Sequence, residues 1–110
     1  MPLMNIDFYI LVDGLDVKKV KGKPFKLGEP PITFYYQNIK DDGGKNRFVI
    51  TIPDSGIKLC TGRKLKDCKE YILNNFDFIK NEMNSDEYKK LRDEFQRLKE
   101  IKIEQEKSQQ

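Results

Sequence analysis

The sequence contains no histidine, no tryptophan and no alanine. Histidine is the side chain that enzymes use most often as a general acid or base near neutral pH, so its absence argues against catalysis. Alanine is the best helix former, and its absence has no structural cause. Lysine, isoleucine, asparagine and the two acids are abundant instead. This composition indicates an AT-rich genome, such as that of a low-GC bacterium, its phages or its plasmids, or that of an AT-rich protist.

Cysteine is scarce as well, and it occurs at Cys60 and Cys68. A structural zinc site needs four ligands in closely spaced pairs, and a cysteine nucleophile needs a general base, normally histidine. Since neither is available, we predict that both cysteines are small buried apolar residues with reduced thiols. The sequence therefore predicts no metal, no cofactor, no catalytic residue and no disulfide.

Long apolar runs are also missing, because no stretch approaches the ~20 residues that span a membrane. In residues 1–12 the apolar side chains alternate with others, and the segment contains Asp7. The apolar region of a signal peptide has no such charge. We therefore expect a cytoplasmic protein without a membrane partner. The chain has 110 residues, of which 37% are hydrophobic and 35% charged. We expect one domain over residues 1–106 and a frayed tail at 107–110.

Alternating apolar residues and turn signals predict an antiparallel sheet of four to five strands over residues 4–61. The segments that carry the strand pattern are residues 4–13, 15–21, 32–39, 47–52 and 57–61. The second of these is rich in lysine, which is typical of an exposed edge strand. Residues 21–31 contain two glycines and three prolines and are expected to be a loop.

Two C-terminal helices are predicted after the sheet, over residues 63–81 and 85–106, which makes the fold class α+β. Apolar residues spaced by three and four define the face that packs on the sheet in the first helix, from Leu65 to Ile79. Asn84 with Glu87 indicates a capping pair at the start of the second helix. The apolar seam of that helix, Tyr88 to Leu98, is short. It predicts either packing on the domain or contact with a partner, including a homodimer through this helix.

One pattern of acids suggests a metal-dependent nuclease, with Asp54 after a strand and Asp67 two residues before Lys69. Such enzymes hold Mg²⁺ between an acid at a strand end and an acid on the neighbouring strand. Here Asp67 and Lys69 fall on a predicted helix, and turn chemistry accounts for Asp54. We therefore reject the nuclease interpretation.

Lysine and arginine occur in two clusters, one over residues 18–26 and one over residues 63–69, although the net charge is only +3. These clusters could contact phosphates while the neighbouring aromatic residues Phe34, Tyr35 and Tyr36 stack on bases. The alternative is that lysines protect an edge strand and the aromatic residues fill the core. Nucleic-acid contact, if it occurs, is assigned to Lys19, Lys21, Lys23, Arg63, Lys64 and Lys66.

Residues 32–79 resemble the β-β-β-α core of HicB-type antitoxins. The resemblance is carried by the Asp-Asp-Gly-Gly turn at 41–44, by Phe48-Val49-Ile50-Thr51-Ile52-Pro53-Asp54, and by Cys60-Thr61-Gly62 with Leu65. It implies a domain that neutralises a small RNA-cleaving toxin by direct binding. The same element order also resembles the arm-binding domains of tyrosine integrases, which lay a three-stranded sheet in a DNA groove.

The sequence thus favours a non-catalytic protein-binding module, a small inhibitor or neutraliser from a phage or mobile element. Such a protein would act like an antitoxin or against host defence, as anti-CRISPR proteins do. The alternative is a nucleic-acid-binding accessory domain. We expect the partner, another protein, to contact the edge strand, the loop at 21–31 and the outer face of the last helix. The residues assigned to this contact are Lys18, Lys19, Lys21, Lys23, Lys26, Arg92 and Arg97.

Overall fold

The structure, a computed structural model, describes residues 5–12 and 16–108. Within these ranges, five antiparallel strands form one sheet in the order β1-β2-β3-β4-β5, and three helices follow, so the predicted α+β class is confirmed. The strands are β1 (Ile6–Val12), β2 (Asp16–Leu27), β3 (Ile32–Lys40), β4 (Asn46–Ile52) and β5 (Ile57–Gly62). The helices are α1 (Leu65–Asn74), α2 (Phe76–Met83) and α3 (Asp86–Ser108).

The main core lies between the central strands and the helices. Phe34 of β3 and Ile50 of β4 are fully buried, as the strand alternation predicts. Cys68 and Ile72 of α1 cover them, together with α2 residues and Tyr88 of α3. The apolar residues of alternate strand positions and of the helical stripe therefore form one continuous core.

The predicted loop at residues 21–31 is wrong for most of its length, because β2 continues to Leu27. The first half of β2 pairs with β1 as far as Gly22, and Lys23 to Leu27 pair with β3. Pro24 lies just beyond the β1 ladder, so its missing N–H removes no strand hydrogen bond on that side. Glycine and proline composition therefore predicted a break where the strand only changes its neighbour.

The sheet is strongly curved. The backbone N–H of Leu11 in β1 donates to the carbonyl of Gly56 in the β4–β5 turn at 2.9 Å, although three strands separate β1 from β5 in the sheet. The ring of Phe8 lies 4.8 Å from that of Tyr35, between their centroids. The β1–β2 hairpin therefore folds back over one end of the sheet and buries Phe8.

The single helix predicted over residues 63–81 is wrong, because α1 and α2 are separate helices. Asn75 between them leaves the helical region, with φ −117° and ψ 21°, and its side-chain amide donates to the Tyr71 carbonyl at 2.9 Å. The apolar stripe continues through both helices, so residue spacing alone did not reveal the break. Lys64 is extended, which makes Leu65 the first helical residue.

Helix α3 packs on its own domain, the first of the two arrangements that the sequence allowed. Phe95 is 1% exposed and Tyr88 is 8% exposed. The capping residue is Ser85 and not Asn84, because the Ser85 hydroxyl accepts a hydrogen bond from the Tyr88 N–H at 3.1 Å. The helix continues through residue 108, so 107 and 108 belong to it, and 109–110 lie outside the described residues. Among the described residues, no helix combines the length and apolar character that a membrane crossing requires.

Candidate functional site

An apolar groove opens on the molecular surface beside β5, where α2 ends and α3 begins. Its cavity volume is about 290 Å³. Two large apolar side chains in it are exposed, Phe78 at 64% and Leu91 at 42%. The groove is further lined by Ile57, Leu59, Met83 and Tyr88. We refer to it as the apolar groove.

The register of helix α2 places Phe78 in the apolar groove. Helix α2 begins at Phe76 and buries Phe76 and Ile79 against the sheet. Phe78 lies between these two residues in sequence, and a helix rotates about 100° per residue, so Phe78 projects away from the buried face. The exposure of this phenylalanine is therefore a consequence of the helical register.

Tyr88 anchors α3 and so positions Leu91. Its hydroxyl donates to the Asp54 carboxylate and lies 2.9 Å from the hydroxyl of the buried Ser55. The side-chain amide of Gln96 donates to the Asp54 carbonyl at 2.6 Å. Burial, followed by the hydrogen bond to Asp54, raises the pKa of Tyr88 above its ordinary value. The β4–β5 turn thus fixes the first half of α3, and with it one wall of the apolar groove.

The polar rim of the apolar groove is acidic. Glu82 at the end of α2 and Glu87 in the first turn of α3 both line it, and both are exposed. Neither forms an ion pair within the described ranges. Ser85, between them, donates to the Glu82 carbonyl at 2.7 Å and caps α3. The rim therefore offers two carboxylates to a ligand of opposite charge.

The five lysines predicted to bind the partner do not form one cluster on β2. Alternation along the strand divides them between two faces, because neighbouring side chains point in opposite directions. Lys19 pairs with Glu106 of α3 at 3.2 Å, and Lys21 lies 3.8 Å from Asp7. The lysines of this face are Lys19, Lys21 and Lys23, and those of the other are Lys18 and Lys26. Their role in binding stays a prediction.

The remaining predicted basic residues are mostly paired with acids. Arg63 donates to the Asp41 carboxylate and to the Asn46 carbonyl, and its hydrogen bond is the main cause of the lowered Asp41 pKa. The other ion pairs are Lys66 with Glu70, Arg92 with Asp93 and Arg97 with Glu94, while Lys64 precedes α1. All four of these ion pairs lie at the surface, where such pairs contribute little to stability. Arg97 also lines a depression that is formed by α3 alone.

The structure separates the aromatic residues that could stack on bases. Phe34 is fully buried, as expected if the aromatic residues fill the core, and Tyr35 contacts Phe8. Tyr36, in contrast, lines a surface hollow together with Lys21 and Lys23. One aromatic residue of the three is therefore available next to predicted basic residues.

The two cysteines lie on β5 and α1, as predicted. Cys68 is 2% exposed and Cys60 is half-buried. Burial, with a smaller effect of the neighbouring Cys68, raises the pKa of the Cys60 thiol to about 12. The thiolate is the reactive form, so Cys60 is a poor nucleophile at neutral pH.

The residues of the rejected nuclease pattern are engaged elsewhere. Asp54 binds Tyr88, and Lys69 of α1 lies 5.3 Å from the Phe25 ring centroid. Asp67 is on α1, as predicted. Residues 5–12 and 16–108 contain no group of three or more acids or cysteines that could hold a metal ion.

Sequence reasoning did not find the apolar groove. Phe78 lies outside the helical stripe and was assigned no role, and Leu91 was assigned to a seam that the domain itself uses only in part. The one available signal was a phenylalanine on the polar side of an amphipathic helix. A large apolar side chain at such a position becomes informative only when it joins other exposed apolar residues in one patch.

No protein-family model matches the sequence, and neither a curated protein nor a solved structure is significantly similar to the chain. The resemblance to HicB-type antitoxins and to integrase arm-binding domains therefore stays a prediction.

Proposed function

We propose that the protein is a non-catalytic binding module that inhibits or neutralises another protein, and that it contacts this partner through the apolar groove. The observation that carries the proposal is the exposure of Phe78 and Leu91 in one concave surface. Water contact with two such side chains is costly, at about 25 cal/mol per Å² of apolar surface. Binding a partner there would remove that cost.

The shape and charge of the apolar groove specify the partner's contact residue. A cavity of about 290 Å³ accommodates one large apolar side chain, and such a buried anchor typically dominates a protein interface. The carboxylates of Glu82 and Glu87 favour a lysine or arginine next to that anchor. The occupant we propose is therefore a bulky apolar residue flanked by basic ones on the surface of a partner protein.

The polar groups of the apolar groove support binding rather than catalysis. The Ser85 hydroxyl caps α3, and the Tyr88 hydroxyl binds the β4–β5 turn. Catalysis would require a nucleophile with a general base within hydrogen-bond reach. The groove places its hydroxyls in structural contacts and its carboxylates at the rim.

The proposed cellular role rests on the size, the composition and the surface of the protein. Small size, the AT-rich composition and a surface suited to one protein partner fit an inhibitor carried by a phage or mobile element and acting in the cytoplasm. Such an inhibitor would neutralise a toxin, as antitoxins do, or block a host defence protein.

Selection from a displayed library of random seven-residue peptides tests the proposed contact. Immobilised wild-type protein should enrich peptides that combine one Phe, Leu or Trp with Lys or Arg nearby. The double variant Phe78→Asp/Leu91→Asp should bind the enriched peptides at least tenfold more weakly, because it places charge in the apolar contact. Both residues are exposed, so the fold should persist in circular dichroism.

Leu73→Asp is the matched control, since Leu73 is 49% exposed on α1 and lies outside the apolar groove. It should bind the enriched peptides as the wild type does. Reversal of the rim with Glu82→Lys/Glu87→Lys should weaken binding and lose its preference for basic peptides. Enrichment of acidic peptides, or equal binding by the Phe78→Asp/Leu91→Asp variant, would count against the proposal.

A further inference from the structure

A second hollow lies at the other end of the sheet, on strands β2, β3 and β4. Its cavity volume is about 290 Å³. It is lined by Tyr36, Phe48, Lys21, Lys23, Asn5 and Asn38. We refer to it as the aromatic pocket. It shares no lining residue with the apolar groove.

The rings of the aromatic pocket belong to a row that crosses three strands. The centroid of Tyr36 lies 5.9 Å from that of Phe25 and 6.0 Å from that of Phe48. Phe25 is on β2, Tyr36 on β3 and Phe48 on β4. Tyr36 and Phe48 are half-buried, so the core fixes their positions while part of each remains accessible. The planes of Tyr36 and Phe48 are inclined by 57°, so a flat ligand can stack on one ring and contact the edge of the other.

The charge next to these rings is positive. Lys21 is 76% exposed at its side chain, and its contact with Asp7 at 3.8 Å is longer than a hydrogen bond, so the ammonium can turn to an anion. Lys23 forms no ion pair within the part of the chain that the structure describes. The amides of Asn5 and Asn38 supply both donors and acceptors for a polar edge.

We propose that the aromatic pocket binds an unpaired nucleobase through Tyr36 and Phe48, with the attached phosphate held by Lys21 and Lys23. The pocket accommodates about one base, and bases inside a duplex are stacked and cannot enter it. The ligand is therefore either a free nucleotide or one nucleotide of a single strand. A lysine patch without rings would not distinguish these ligands from a duplex, which also presents phosphates.

The test measures fluorescence anisotropy of a labelled thymidine oligonucleotide of about eight residues at two salt concentrations. Lys21→Gln/Lys23→Gln should weaken binding about tenfold at low salt and flatten the slope of log affinity against log salt by about 1.4, for two lost phosphate contacts. Tyr36→Leu should weaken it about tenfold through lost stacking. Lys26→Gln is the matched control, because Lys26 is on the same strand and exposed but on the opposite face.

Competition separates the two sources of the ligand. Displacement of the oligonucleotide by thymidine monophosphate at similar concentration identifies a nucleotide site, and displacement only by longer unlabelled strands identifies a single-strand site. Both results support the pocket chemistry. Equal affinity for a duplex, preferential binding of a polyglutamate peptide, or an equal effect of Lys26→Gln would each overturn it. If Tyr36→Leu fails to fold, the two surface lysine variants still decide the question.

Discussion

At the scale of single residues, Gly56 is where the curved sheet and α3 meet. Its φ is +69°, and a Cβ atom there would lie 2.4 Å from the Phe95 ring and 2.7 Å from the Leu11 nitrogen. Both neighbours are fixed, one as a fully buried ring and the other in a hydrogen bond with the Gly56 carbonyl. The position therefore requires glycine for its backbone conformation and also for its lack of a side chain.

We expect Gly56→Ala to destabilise the domain more than Gly44→Ala does. Gly44 has a similar φ of +77°, but no atom lies within 4 Å of the added Cβ, so its substitution measures backbone strain alone, about 1–2 kcal/mol. Gly56→Ala adds overpacking of about 1–3 kcal/mol. Urea unfolding of both variants gives the two values. Equal losses of stability in the two variants would contradict the expected steric clash of the added Cβ atom with Phe95 and Leu11.

At the scale of elements, the sequence predicts those whose pattern is local and misses those that depend on a neighbour. The strand alternation placed Ile50 in the core, where it is fully buried, and the predicted antiparallel sheet of four to five strands has five. The extension of β2 through Pro24 was missed, because it depends on where the β1 ladder ends. The break at Asn75 was missed, because the apolar stripe is unchanged across it. Both errors concern boundaries that tertiary contacts decide.

The attachment of α3 through Tyr88 leads to a pH prediction. Because burial and the Asp54 hydrogen bond raise the pKa of Tyr88, the folded state keeps the phenol protonated at pH values where the unfolded chain loses that proton. The stability that this hydroxyl provides is thus complete below pH 10.0, the ordinary tyrosine value, and falls as the pH rises above it. At pH 8, Tyr88→Phe should cost about 1–2 kcal/mol, because the Asp54 and Ser55 contacts are lost.

Between pH 8 and pH 11 the stability of Tyr88→Phe should decline less than that of the wild type, which urea unfolding at each pH measures. Tyr71→Phe is the control, since Tyr71 is 49% exposed on α1 and its variant should follow the wild-type curve. Parallel curves for Tyr88→Phe and wild type would contradict the assigned role of the hydroxyl.

At the scale of the whole molecule, the two candidate surfaces differ in how many of their residues could be predicted from the sequence. Lys21, Lys23 and Tyr36 were all named from the sequence, but only the register of β2 with β3, which pairs Lys23 with Tyr36, brings them together. The apolar groove combines residues from β5, α2 and α3 that are distant in sequence, and its key side chain Phe78 follows no pattern. Sequence periodicity identifies which residues are buried, but it does not show which exposed residues become neighbours.

The two surfaces should act independently. Their lining residues are disjoint, and substitutions without shared partners usually add to within about 0.3–0.5 kcal/mol. Phe78→Asp/Leu91→Asp should therefore weaken binding of the selected peptides at least tenfold and leave oligonucleotide affinity within about twofold of wild type. Lys21→Gln/Lys23→Gln should have the opposite effect. The combined variant should lose peptide affinity as much as the first variant does and oligonucleotide affinity as much as the second does. Fluorescence anisotropy measures both affinities, and equal melting temperatures are the control. If a bound peptide lowered oligonucleotide affinity in the wild type by more than about twofold, the surfaces would be coupled, and one ligand would regulate the other.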